Sequence, residues 1–394
     1  MTKNMRALRS SWQRVKFGSV ARQVKDKVDP EASGLMRYVA GDHMDTDDLR
    51  VRRWGDIGSG YLGPAFHMRF QPGHVLYGSR RTYLRKVAIA DFTGICANTT
   101  FVIESRDATV LLPEYLPIVM QTEAFHAHSI KQSKGSVNPY INFTDLNWFE
   151  FLLPPVDEQQ RIVRVISALE ENVIALDMAY ESAVALEFSR LESALDSVPC
   201  NRLIPVEKLV TTGTKNGFSP KVNADTRGYP TLSISAVRDG RIITEGNLKY
   251  AEVTDEQATA FELKKDDVLV VRGNGNKLLT GKGGLVDAVP KGCFYPDLLI
   301  RLQFDGDVIR PQFAVLQWNA PSSHKRLISR AKSTNGVWKI NGSDIRLHTL
   351  KVPSIEMQDE LLDEIRSIRQ VRRDILQRKA LAKNLKALAL REIG

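Results

Sequence analysis

The chain repeats itself at half its own length. Ile141-Asn142-Phe143-Thr144-Asp145-Leu146 matches Ile340-Asn341-Gly342-Ser343-Asp344-Ile345 at a spacing of 199 residues. The register continues without a gap through Leu153-Pro154-Pro155-Val156-Asp157-Glu158-Gln159 and Val352-Pro353-Ser354-Ile355-Glu356-Met357-Gln358. Upstream of each copy lie a strand-like run with basic and glycine residues (HVLYGSRRTYLRKVAIAD, then DVLVVRGNGNKLLTGKGGLV) and a polar segment (SKGSVNPY, then KSTNGVWK). A period of this size means one folding unit used twice, which restricts the chain to folds that can be built from two like halves.

Each copy ends in a long helical pattern. After Pro155 no Gly or Pro occurs for about forty residues, and Ile162, Ile166, Leu169, Val173, Leu176, Tyr180 and Ala183 alternate at spacings of four and three, the seam of a coiled coil. Asp157 reads as the N-cap and Val198-Pro199 as the stop. The second helix runs from Glu356 almost to Gly394, with Leu361, Ile365, Ile368 and Ile375 on its seam. In the globular segments outside the helices, short apolar runs bounded by Gly, Asp and Pro predict strands at VLYGS, KVAIAD, TTFVIES, DVLVV and LLIRLQF. One shorter helix is expected in each half, over EYLPIVMQTEAFHAHSI and PQFAVLQWNAPSSHKRLISRA. The fold class is α/β (α+β): two mixed α/β domains separated by two long antiparallel coiled-coil helices. The boundaries read as 1–155, 156–198, 199–353 and 354–394.

Charge is distributed unevenly over these parts. Residues 157–196 hold nine acids and three bases, and residues 356–394 seven acids and nine bases. The first helix is acidic and the second mildly basic, which favours their pairing through flanking ion pairs. Of the net +9, the two helices carry −4 together, so the globular segments carry +13. A polyanionic partner, nucleic acid first, follows from that excess. Cys96, Cys200 and Cys293 stand too far apart for a zinc motif or a disulfide framework. The N-terminal residues contain no apolar core of a signal peptide and no stretch is long and apolar enough to cross a bilayer, so a cytoplasmic, nucleoid-associated protein is expected.

Catalytic motifs fail on spacing. In the run from Gly273 to Gly284, Gly275 and Gly281 enclose five residues rather than four, and Lys282 is followed by Gly, unlike a Walker A loop. A G-x-G-x-x-G loop fails at Leu278. A tight turn whose backbone N–H groups approach phosphates is the better reading. Asn138-Pro139-Tyr140 lacks the second Pro of the [DN]-P-P-[YF] element of amino-methyltransferases, and no E-x-K follows Pro296-Asp297. His126 and His128 at i, i+2 of a helix point apart. Neither a catalytic group nor a metal site is expected.

A duplicated unit of this kind, with FLLPPVDEQQRIV at 151–163, VPSIEMQDELL at 352–362, and the blocks GVWKING and KDDVLVVRGNGN, resembles the specificity (S, HsdS) subunit of type I restriction-modification systems over essentially the whole chain. The second copy departs at Ser354 and Met357-Gln358-Asp359, which puts equal partner contacts in the two halves in doubt. The resemblance implies two target-recognition domains, each reading one half of a bipartite site on double-stranded DNA. It implies a non-catalytic chain in complex with two methyltransferase subunits, with restriction (translocase) subunits for cleavage. S-adenosylmethionine, ATP and Mg would reside on those partners, and this chain would hold no cofactor. The partner would meet the outer helix faces and the Ala/Leu-rich C-terminal turns. Forty helical residues span about 60 Å at ~1.5 Å each, against about 34–36 Å for a turn of B-DNA, so the helices would act as a ruler. A free-standing sequence-specific DNA-binding regulator is the alternative.

Basic, amide and aromatic residues of the irregular segments are the candidates for DNA contact. In the first domain these are Arg80, Arg81, Tyr83, Arg85, Lys86, Lys131, Lys134, Ser136, Asn138 and Tyr140. In the second they are Arg272, Asn274, Asn276, Lys277, Lys282, Lys332, Ser333, Thr334, Asn335, Trp338 and Lys339. Arg reads guanine and Asn adenine bidentately, whereas Lys more often meets phosphate. The sequence leaves open which residue does which.

Overall fold

The computed structural model describes residues 11–223, 225–334 and 336–393. The chain forms two compact units, 1–178 with 376–394 and 179–375.

In unit 1, β1 (Gln13–Lys16) leads through the one-turn α1 (Phe17–Val20) into β2 (Ala21–Val24). There follow β3 (Arg37–Val39), β4 (Gly55–Asp56), β5 (Phe66–Phe70), β6 (Val75–Gly78), β7 (Val87–Ile89), β8 (Gly94–Ala97) and β9 (Thr100–Ser105). They make two four-stranded sheets, β2-β9-β6-β7 and β4-β3-β8-β5. Strand alternation divides the first sheet between two cores. Val75, Tyr77, Val87 and Ile103 face the helices, whereas Leu76, Ala88 and Val102 face the second sheet's Val39, Met68, Phe70 and Cys96.

The helical stretch after β9 is two helices, α2 (Leu116–Met120) and α3 (Glu123–Lys131), where the sequence suggested one. Thr122 breaks it: its backbone is extended and its side chain accepts from Phe125 N, capping a new helix. After α4 (Phe143–Leu146), β10 (Glu150–Leu153) pairs antiparallel with β1, Gln13 opposite Leu153. Then begins α5 (Val156–Asp196). Asp157 lies within its first turn rather than at the cap.

Unit 2 repeats this plan with more strands. Beyond β11 (Leu203–Pro205) come β12 (Lys215–Asn216), β13 (Tyr229–Leu232), β14 (Val237–Arg238), β15 (Arg241–Ile242), β16 (Leu248–Ala251) and α6 (Asp255–Phe261). β17 (Val268–Val271), β18 (Gly273–Asn274), β19 (Gly283–Leu285) and β20 (Leu299–Leu302) follow. The main sheet runs β12-β20-β17-β19-β15-β14. The predicted second helix is again split, into α7 (Pro311–Asn319) and α8 (Pro321–Ile328), because Pro321 has no N–H to continue α7. The hairpin β21 (Lys332–Thr334) and β22 (Val337–Lys339) joins β18 in a small sheet. After α9 (Gly342–Arg346), β23 (Thr349–Lys351) pairs with β11 and leads into α10 (Ile355–Ile393). Ser354 Oγ accepts from Met357 N at 3.3 Å and caps α10 where the first copy has a proline. Among the described residues no helix is long and apolar enough to cross a membrane.

The helix seam differs from an uninterrupted apolar stripe. Ile162 and Ile166 belong to the unit 1 core, together with Ala389, Leu390 and Ile393 from the end of α10. Leu361, Ile365 and Ile368 belong to the unit 2 core with Phe188 and Leu191. Leu169, Val173, Leu176 and Ile375 are only half-buried. Charge takes over between them: in unit 1 Glu170 pairs with Lys386 and Asp177 with Lys379. In unit 2 Glu187 pairs with Arg369 and Arg372, each at 2.6 Å, and Arg190 with Glu364 at 2.6 Å. Within each unit the partner numbers fall as α5 advances, so the stretches of α5 and α10 in that unit run antiparallel.

Candidate nucleic-acid interface

In unit 1 the β6–β7 loop (79–85) and the segment 131–141 form one surface. Ile141 N donates to Ser79 O at 3.0 Å, Arg81 N to Pro139 O at 2.6 Å, and Tyr140 bridges both Arg80 and Lys134. The Thr82 and Ser133 hydroxyls meet at 2.7 Å. Nine of the ten unit 1 candidates thus fall on two adjoining segments, and Lys86 follows directly on the first. Asn138-Pro139-Tyr140 is part of this backbone staple.

The same frame recurs in unit 2. Ile340 N donates to Arg272 O at 2.9 Å as Ile141 does to Ser79. Gly78 N donates to Lys86 O at 3.0 Å and Val271 N to Lys282 O at 2.9 Å, which makes Lys86 and Lys282 equivalent at the loop exits. The unit 2 loop spans 272–281, three residues more than 79–85. Gly273 pairs with Lys339, Asn274 with Trp338, Ser333 with Trp338 and Lys332 with Lys339, while Lys277 Nζ lies 4.3 Å above the Trp338 ring. Thr334 pairs with Val337 through the backbone. Asn335 lies outside the described residues.

The candidates are not equally available. Arg80, Arg81, Tyr83, Lys131, Ser136, Asn138 and Tyr140 are exposed, as are Asn276, Lys277, Lys332, Ser333 and Lys339. Arg272, Asn274 and Trp338 are half-buried. Arg85 is held by Asp47 at 2.9 Å and Glu123 at 2.6 Å, and Lys86 donates to Gly41 O, so both brace the loop. Lys134 pairs with Asp145 at 3.0 Å and holds that carboxyl below the usual range. Lys282 is half-buried, its Nζ directed at Asn319 O, and burial lowers its pKa. The Oδ1 of Asn274 already accepts from Asn276 N, and that of Asn276 from Leu278 N, at 2.8 and 2.9 Å. Bidentate reading of adenine would require those same oxygens to accept again.

Beneath each loop sits a buried histidine on the same turn of an equivalent helix: His126 N donates to Thr122 O and His324 N to Ala320 O. His324 Nε2 lies 2.8 Å from Thr280 O and Trp318 Nε1 donates to Gly281 O at 2.7 Å. Asn319 takes both backbone groups of Gly283, at 3.0 and 2.8 Å. A Cβ on Gly283 would lie 3.2 Å from Trp318, and Gly281 has φ +78°. These two glycines therefore serve close packing and a left-handed turn rather than phosphate approach. Sequence reasoning missed Trp318, Asn319 and His324, because their partners lie 36 to 44 residues away. It also missed Leu278 and Leu279, exposed by 65% and 49% at the loop tip, which passed as strand residues.

Other titratable groups are structural. Burial pushes His126 and His348 down to about 4, and the Cys96 and Cys293 thiols up to about 12. His128 Nε2 contacts Asp145 O at 2.9 Å. Asp297 exchanges hydrogen bonds with Ser219, at 2.6 and 3.1 Å. No cluster of metal ligands occurs among the described residues.

The chain is similar in sequence and in fold to known proteins. The family model for the type I restriction modification DNA specificity domain matches residues 56–181. The type I restriction enzyme EcoKI specificity subunit of Escherichia coli (strain K12) is 28% identical over 160 residues, 40% of this chain and 34% of that protein. The EcoDI specificity subunit of Escherichia coli is 26% identical over 183 residues, 46% of this chain and 40% of that protein. The matches thus span about a third to two-fifths of those relatives' length. Two solved structures share the fold over nearly the whole chain. One, from work on complex assembly and conformational transition of the type I R-M system, has a TM-score of 0.62 at 18% identity and covers 96% of both chains. The other, the type I restriction-modification S subunit from M. genitalium, has a TM-score of 0.54 at 15% identity and covers 97% of this chain and 96% of that one.

Proposed function

We propose that the chain is a specificity subunit of a type I restriction-modification system, the family whose DNA specificity domain and subunits it resembles, and that its two units read the two halves of a bipartite DNA site. The observation that carries the reading is the repeated loop frame with different side chains on it. Unit 1 presents Arg80, Arg81 and Tyr83; unit 2 presents Asn276, Lys277 and Leu278 on a loop three residues longer. A common backbone with unlike tips is what reading two different half-sites with one fold requires.

On this reading the chain is non-catalytic. Methyl transfer belongs to two methyltransferase subunits that it positions in the cytoplasm, on DNA, and cleavage to restriction subunits. S-adenosylmethionine, ATP and Mg belong to those partners. The test is co-expression with a type I methyltransferase subunit from the same source, followed by mapping of methylated adenines. Methylation confined to one bipartite sequence, and lost without this chain, is the expected result. Tight binding to a site with no partner and no methylation would identify a free-standing regulator instead. Replacing Lys332 and Lys339 by Gln should lower the slope of log affinity against log salt by roughly one for each phosphate that is no longer neutralised. An unchanged slope would remove both from the footprint.

A further inference from the structure

We propose that Leu278, at the tip of the unit 2 loop, reads the C5-methyl group of a thymine in the DNA major groove. This rests on the function proposed above. Leu278 is 65% exposed and belongs to no hydrophobic core. Its turn is nevertheless built stiffly. Asn276 Oδ1 accepts from Leu278 N at 2.9 Å, Leu279 N donates to Asn276 O at 3.1 Å, and Thr280 and Gly281 are anchored from below by His324 and Trp318. A stiff turn has little freedom left to lose when its apolar tip is covered.

The surroundings say what covers it. Lys277 precedes Leu278 in the chain and lies over Trp338, which pairs across the small sheet with Asn274. Lys332 and Lys339 stand directly opposite each other on that sheet, a like-charge pair that works against the hairpin unless an anion lies on it. The equivalent loop of unit 1 carries Arg80 and Arg81, so the position is cationic in both copies. A polyanion with an apolar feature between its charges fits this face, and on duplex DNA the apolar group presented at a base edge is the thymine methyl. A membrane would offer anions and apolar chains too, but the turn also carries the Nδ2 donors of Asn274 and Asn276, whose Oδ1 atoms are taken up by the backbone, and amide donors match the acceptors of a base edge rather than acyl chains.

The experiment uses the full chain with its co-purified methyltransferase and the bipartite site obtained by selection from random DNA. Each thymine of both half-sites is replaced in turn by deoxyuridine, which lacks only the methyl group. Wild type should bind about fourfold more weakly at one position of one half-site, the effect of a single buried methyl-sized group. Leu278→Ala should bind the thymine site about that weakly and no longer distinguish the two bases there. Indifference of wild type to every uridine would overturn the proposal, as would retention of the discrimination in Leu278→Ala. Uridine indifference together with brightening of 2-aminopurine on binding would make Leu278 a wedge between bases. Binding of wild type, but not Leu278→Ala, to anionic vesicles without any uridine effect would make it a membrane contact. Failure of wild type to select any bipartite sequence would remove the function reading itself, a separate observation.

Discussion

Gln159 and Gln358 are fully buried amides that do the same work in the two copies. Gln159 accepts from Leu112 N and donates to Val110 O and Pro154 O, each at 2.9 Å. Gln358 accepts from Arg310 N at 2.8 Å and donates to Val308 O and Pro353 O at 3.1 and 3.0 Å. Each clamps the start of a long helix to the segment before a core helix. Gln358→Ala would leave buried backbone groups without partners, and we expect it to cost about 3 kcal/mol, read as a lower urea midpoint at unchanged slope. The repeated Gln was legible as a motif in the sequence, but its role was not, since one of its two carbonyl partners, Val110 or Val308, lies about fifty residues upstream. The buried histidines predict a pH effect of definite sign. The folded pKa of His126 and His348, about 4, lies below the ordinary 6.5, so the unfolded chain takes up protons first. Stability should therefore be fully present above about pH 6.5 and fall as pH drops toward 4, by about 3 kcal/mol per histidine. Thermal melts of His126→Leu should show a shallower decline over that window.

Element boundaries were legible where hydrogen-bond donors or caps are written into the sequence, as at Pro155 and Val198-Pro199, and the strands at 75–78, 87–89, 100–105, 268–271 and 299–302 fall within their apolar runs. The two splits, at Thr122 and Pro321, were hidden because the apolar pattern runs across them. The seam of α5 and α10 misled for a related reason. Period-3.5 spacing marks the residues that face inward but not what they meet, and in each helix it is the first of them, Ile162 and Ile166 in α5 and Leu361, Ile365 and Ile368 in α10, that meet a globular core. The middle is held by Glu187, 2% exposed, between Arg369 and Arg372, with Tyr180 on Arg372 at 3.0 Å. Glu187→Ala would strand two partly buried guanidinium groups, and we expect a loss of about 3 kcal/mol, greater than for Arg190→Ala at the exposed pair. Chemical denaturation of the two variants side by side checks the ranking.

At the scale of the whole chain, duplication and charge were readable without coordinates, whereas the loop tips that would distinguish two half-sites were not. A tip is defined by how far it stands from a sheet, which no local pattern records. On the proposed function, α5 and α10 set the number of base pairs between the half-sites. Seven residues added to both helices at paired positions keep the seam in phase and add about 10 Å, about three base pairs of B-DNA. Selection from random DNA should then return the same two half-sites with a longer spacer, and altered half-sites would contradict the ruler. The antiparallel ribbons have a consequence of another kind. Gln13 lies opposite Leu153, and Leu203 opposite Lys351, so each globular segment enters and leaves through neighbouring strands. On the proposed function such a segment is a cassette with a fixed plug: a crossover at each end of its coding stretch would exchange one complete reading head for another and leave the chain on either side to resume its course.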